Sequence, residues 1–190
     1  NIRIENDIKN GLEIAINNIK LQFWTELEEK IKEDKIFEKI DEKYSLKQNE
    51  KYTKEKIYKN EKFYGLVYSL GKINETDELV LMFEVSNELY WMYNIMRDGQ
   101  RIDCAKEDKF DKIRNKIDEI VKNYKEELES YSNKNDKWCL NLIYPKPKFN
   151  YRFHDDEFFK LADKEYRANY ISDIVQSVSE ITENIINKIK

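Results

Sequence analysis

The sequence predicts an α+β fold, an antiparallel sheet of about four or more strands packed by three long helices in the order α-β-β-β-α-β-α. Two observations carry this expectation. Apolar residues recur at spacings of three and four in the opening, middle and closing segments, which stacks them on one face of a helix. Between Phe63 and Arg101 the period falls to two, the spacing of a strand with distinct faces.

Leu12, Ile16, Ile19, Phe23, Leu27 and Ile31 predict a first helix over about residues 6–33. The Lys/Glu-rich stretch Lys47 to Lys62 reads as a hairpin arm or loop. From Phe63, Tyr64, Leu66, Tyr68 and Leu70 form the core-facing set, opposite Phe63, Gly65, Val67 and Ser69. Gly71 and Asn74-Glu75-Thr76-Asp77 predict a turn into a strand over Leu79 to Val85. Ser86-Asn87-Glu88 marks a second turn or bulge before a strand over Leu89 to Met96. Asp98-Gly99 is a hairpin signal, because glycine accepts the positive φ of two-residue turns.

Phe110, Ile113, Ile117, Ile120, Val121, Tyr124, Leu128 and Tyr131 predict a second helix running the length of that set. Trp138 to Tyr144 reads as a short strand stopped by Pro145-Lys146-Pro147, followed by an extended segment, Phe149 to Phe153. Asp155, Asp156 and Glu157 suit a helix start, where the macrodipole favours anions. The last helix is expected from about 157 to 188, with Leu161, Tyr170, Ile174, Val178, Ile181 and Ile185 on its apolar side.

Composition bounds the function. The 190 residues, 40% hydrophobic and 13% aromatic, predict a single domain over 1–190. Thirty-four basic residues against 38 acidic leave a charge of −4, so contact with a polyanion has to rest on a local patch rather than on net charge. One histidine and the distant cysteines Cys104 and Cys139 exclude the usual structural zinc patterns and read as reduced thiols of a cytoplasmic protein. No apolar run approaches the roughly 20 residues that span a bilayer, so no membrane partner is expected. The start lacks an initiator Met, which predicts a piece of a longer protein.

Two groups of candidate binding residues stand out. Tyr64, Tyr90, Trp91 and Tyr93, with Lys62, Arg97 and Arg101 nearby, could stack bases while the cations hold phosphates. The same aromatics could equally pack beneath the helices and pair across strands. Arg152 and Arg167, with His154, flank the start of the last helix, where an anion could bind. Asp155, Asp156 and Glu157 oppose an anion there and favour an ordinary solvated cap. No Ser or Cys nucleophile motif accompanies His154, and no catalytic or metal-ligating residue is assigned.

Three passages together resemble the C-terminal, noncatalytic region of a bacterial family in the PD-(D/E)XK nuclease superfamily. They are Phe23-Trp24-Thr25-Glu26-Leu27-Glu28; Tyr64-Gly65-Leu66 with Glu84-Val85, Leu89-Tyr90 and Arg97-Asp98-Gly99; and Trp138 before a short strand, an aromatic segment and a helix with Arg167 near its start. The resemblance covers about residues 10–188. That superfamily uses an Asp and a Glu-x-Lys around a divalent metal. Here Glu84 is followed at position 86 by Ser, so the pattern fails. The resemblance therefore implies a catalytic region preceding Asn1 that would hold the metal, no cofactor in this chain, and DNA or a second copy of the chain as partners. The expected function is a noncatalytic accessory domain for substrate recognition, sensing or dimerisation. The alternative is a protein-interaction module with no nucleic-acid role.

Overall fold

A computed structural model describes residues 2–37, 41–44, 55–57, 59, 65–124, 128–131 and 138–189. The stretch 47–62, expected as a hairpin arm or loop, lies outside the described residues except for 55–57 and 59, and Lys62 and Tyr64 lie outside them too. The described elements are α1 (Ile2–Glu33), β1 (Asp41–Tyr44), β2 (Gly65–Lys72), β3 (Asp77–Val85), β4 (Leu89–Arg97), β5 (Gln100–Arg101), α2 (Asp111–Val121), β6 (Leu128–Tyr131), β7 (Asn141–Pro145), α3 (Asp156–Lys160) and α4 (Lys164–Ile189). The α+β expectation is met. The antiparallel sheet runs β1-β2-β3-β4-β7-β6, with β5 paired to the end of β4.

Period-two patterning sets the register at the centre of the sheet. Leu79, Leu81, Phe83 and Val85 of β3 stand opposite Ile95, Tyr93, Trp91 and Leu89 of β4, and all eight enter the main core. A slip of one residue would turn that entire set to the other face. Leu66 and Tyr68 of β2 join them. Helices α1, α2 and α4 cover this face with Phe23, Leu27 and Ile31, Ile117 and Ile120, and Ile174, Val178 and Ile181. Burying each such side chain contributes about 1.5–3 kcal/mol. The opposite face carries a smaller cluster around Val80, Met82, Tyr90, Met92 and Leu142.

Polar bonds fix the helices to one another and to the sheet. Tyr93 Oη lies 2.9 Å from Thr182 Oγ1, joining β4 to α4. Arg167 of α4 grips Glu26 of α1 with two bonds of 2.8 and 2.9 Å, and Ser179 Oγ donates to Asp34 Oδ1 at 2.9 Å. The later residue of each helix thus meets the later residue of the other, so α1 and α4 run in the same direction.

Three expectations need correction. The second helix stops at Val121, and Leu128 and Tyr131 belong to strand β6, whose backbone pairs with β7. Spacings of three let these residues extend a helical stripe on paper, but the buried polar backbone of β7 needs a ladder partner on that side. The last helix is broken at Leu161–Asp163. Asp163 Oδ1 accepts from Tyr166 N at 2.8 Å, capping α4 afresh. Within the segment expected to be extended, residues 151–154 instead form a turn, with His154 at φ 55°. The Asp98-Gly99 turn forms as expected, at φ 49° and 77°.

Candidate functional site

The structure separates the residues proposed as one aromatic binding face. Trp91 points into the helix-side core with no exposed surface, 6.4 Å from the Phe83 ring. Its sequence neighbour Tyr90 faces the other way, as alternation along a strand demands, and is buried as well. Tyr90 Oη donates to Glu84 Oε2 at 2.9 Å. Burial, with the Glu84 charge second, raises the Tyr90 phenol far above its usual range. Arg101 bonds the same Glu84 and lays its guanidinium 4.5 Å from the Trp138 ring centre. Arg97 holds Asp77 through Nε at 2.6 Å and Glu107 through both terminal nitrogens at 3.1 and 2.8 Å. These rings and cations brace the sheet in this conformation.

Of the two arginines near the last helix, Arg167 is buried and fully engaged. Besides Glu26 it donates to Leu161 O at 2.6 Å, which ties the break between α3 and α4 to α1. Arg152 sits half-exposed on the turn between β7 and α3, 5.9 Å from the Phe153 ring centre.

Around Arg152 the chain assembles a group that local sequence does not announce. Lys20 comes from the buried side of α1, and its ammonium lies 5.4 Å from the Tyr151 ring centre and 6.0 Å from that of Phe158. Tyr151 Oη donates to Lys20 O at 3.3 Å, tying the turn to the helix. His154 packs 4.8 Å from Phe158 and 6.4 Å from Phe159, and its Nε2 is buried without a hydrogen-bond partner among the described residues. Phe153 is 72% exposed and Phe159 40%.

The electrostatics show mutual repulsion. Burial, then the Arg152 charge, brings the Lys20 ammonium down to about 8. Burial, then Lys20, brings the His154 imidazole down to about 4, against a smaller upward pull from Asp155. At neutral pH the group therefore holds Arg152 and a buried, largely protonated Lys20 beside a neutral imidazole. Nearby acids are partly occupied elsewhere. Asp155 accepts from Asn150 N at 2.8 Å and Phe158 N at 2.9 Å, while Glu157 receives Lys160 and Tyr166.

No family model, curated protein or solved structure matches the chain. What the corner can do chemically rests on its own groups. The half-exposed Arg152 can meet a phosphate's oxygens, the buried Lys20 charge adds to the positive field behind it, and the exposed phenylalanine rings beside it can stack a base. Among the described residues no three His, Cys, Asp or Glu side chains gather as metal ligands would, and no helix is long and apolar enough to cross a membrane. Sequence reasoning singled out Arg152 and His154 but missed Lys20, Phe153 and Phe159. One signal was present: Lys20 interrupts the apolar stripe of α1 between Ile16 and Phe23, a place where a charge needs a reason.

Proposed function

We propose that this chain is a noncatalytic nucleic-acid-holding accessory domain, of the kind its resemblance to PD-(D/E)XK nuclease proteins implies, and that its contact surface is Arg152 with Phe153 and Phe159, lying over the buried Lys20 and the half-buried His154. The observation that carries this reading is the convergence of two cations and an imidazole beside exposed aromatic rings. A protein with net charge −4 needs such a local concentration of positive charge to hold a polyanion. Exposed rings favour single-stranded segments, whose unstacked bases offer their faces. Catalysis belongs elsewhere in the reading, because Glu84, the nearest approach to the nuclease pattern, is bonded to Tyr90 and Arg101.

The test is titration of a labelled single-stranded oligonucleotide at several salt concentrations, with magnesium added in a parallel cleavage assay. The expected result is binding that weakens linearly in log–log form as salt rises, by a slope of roughly one per phosphate contacted, without cleavage. Salt-independent binding, or cleavage by the purified chain, would contradict the reading.

A further inference from the structure

Strand β2 ends beside a recess at the edge of the helix layer. Its register against β3 shifts between Ser69 and Gly71, with Gly71 at φ 123°, and a bulge of this kind bends a strand. Alongside, α2 and the last turns of α4 are joined by Lys116 Nζ, which donates to Lys188 O at 2.7 Å. These elements flank a cleft of about 390 Å³, a volume typical of small-molecule sites. It opens beside Ile186, at the opposite end of α4 from Arg167 and the break after α3, and is separate from the Arg152 surface.

The walls are aliphatic. Leu70, Ile73, Ile113, Ile186 and Ile189 all line the cleft and are each only half-buried. Rings make up 13% of the chain, yet among the described residues none lines this cleft. It therefore offers nothing on which a base could stack and a surface suited to a hydrocarbon chain.

The rim is cationic. Lys72, Lys112 and Lys116 line the cleft, the first two exposed, and no carboxylate lines it among the described residues. None of the three lysines forms an ion pair among those residues. Glu78, opposite Lys72 across the strand pair, accepts from Ser69 Oγ instead. Asp108, Glu119 and Glu183 lie within a turn of lining residues along the chain, and none pairs with a lining lysine. In a chain with 38 acidic residues against 34 basic, a lining of three cations and no anion selects a negatively charged group, which would meet charge-assisted donors with no carboxylate to displace. We propose that this cleft binds a single-chain amphiphilic anion, of which a fatty acid is the simplest form, its tail against the aliphatic walls and its head at Lys72 and Lys112. This goes beyond the nucleic-acid reading and does not rest on it.

Isothermal titration calorimetry with hexanoate, octanoate and decanoate tests this, with octanol and octylamine as uncharged and cationic counterparts and circular dichroism to confirm folding. Decanoate should bind saturably at one site per chain, and each added methylene should tighten binding about threefold to fourfold. Octylamine should bind more weakly than octanoate. Lys72→Gln with Lys112→Gln, both at exposed positions, should weaken octanoate about tenfold and leave octanol unchanged. Ile186→Trp, which fills the cleft, should weaken both. Absence of saturable binding by the wild type, affinity indifferent to chain length, octylamine binding as well as octanoate, or undiminished octanoate binding by either folded variant would each overturn the proposal.

Discussion

The ammonium of Lys20 lies 5.4 Å from the centre of the Tyr151 ring, and the hydroxyl of that same tyrosine donates to the carbonyl oxygen of Lys20. A residue on the first helix and one on the turn before α3 are thus locked together, and a positive charge is held at 1% exposure beside Arg152. Taking that charge out of water costs the folded state stability.

Replacing Lys20 by Met tests that cost. Methionine keeps most of the volume and removes the charge, so Lys20→Met is expected to stabilise the fold by roughly 2 kcal/mol at pH 7. Because the ammonium is lowered from 10.5 to about 8, the cost is fully present below pH 8 and disappears as pH rises towards 10.5. The gap in urea stability between variant and wild type should therefore close over that window, while the variant binds oligonucleotide more weakly at pH 7.

The His154 imidazole is lowered from 6.5 to about 4, chiefly by burial. Its unfolded form takes up a proton first, so stability falls as pH drops from 6.5 towards 4. A bound phosphate would favour the imidazolium. Oligonucleotide affinity should accordingly rise between pH 6.5 and 5 in the wild type and rise less in His154→Asn, a substitution suited to the positive φ at this position.

Asp77 is a structural contrast. It is fully buried, accepts from Arg97, Lys109 and Asn74, and its carboxyl is held well below the usual range, by the Arg97 hydrogen bond above all. Its stabilisation is present above about pH 4 and is lost as pH falls further. Asp77→Asn should cost about 3 kcal/mol at pH 7 in denaturant unfolding, since it removes the buried one of the two carboxylates that Arg97 and Lys109 share, leaving them only Glu107, and leave binding by the remaining folded protein unchanged.

Gly65 opens β2 against the backbone of Phe83. A Cβ there would come within 1.8 Å of Phe83 O, so Gly65→Ala must push β2 off β3 and should cost more than about 2 kcal/mol in the same unfolding assay.

Much of the sheet was legible because its signals are local. Alternation assigned Leu66 and Tyr68 to the core, and Asp98-Gly99 announced its turn. Strand β6 was hidden because Leu128 and Tyr131 fit a helical stripe as well as a strand, and the decision lies with β7, more than ten residues away. Trp91 and Tyr90 read as one aromatic patch only until the pleat sends them to opposite faces. The corner was the least legible feature. Lys20 and Tyr151 are 131 positions apart, and only the packing of α1 against the turn before α3 brings them together.

The most direct test of the corner is fluorescence anisotropy of a labelled single-stranded oligonucleotide with the wild type, the Arg152→Ala, Phe153→Ala double variant and Trp91→Ala, alongside thermal melts. The double variant should remain folded in the thermal melts and bind at least about tenfold more weakly, each lost base stack and phosphate contact being worth about 1–3 kcal/mol. Trp91→Ala should lose about 3–5 kcal/mol of stability and keep its affinity under conditions where it remains folded. Undiminished binding by the double variant, or affinity lost with Trp91 in a folded protein, would contradict the assignment.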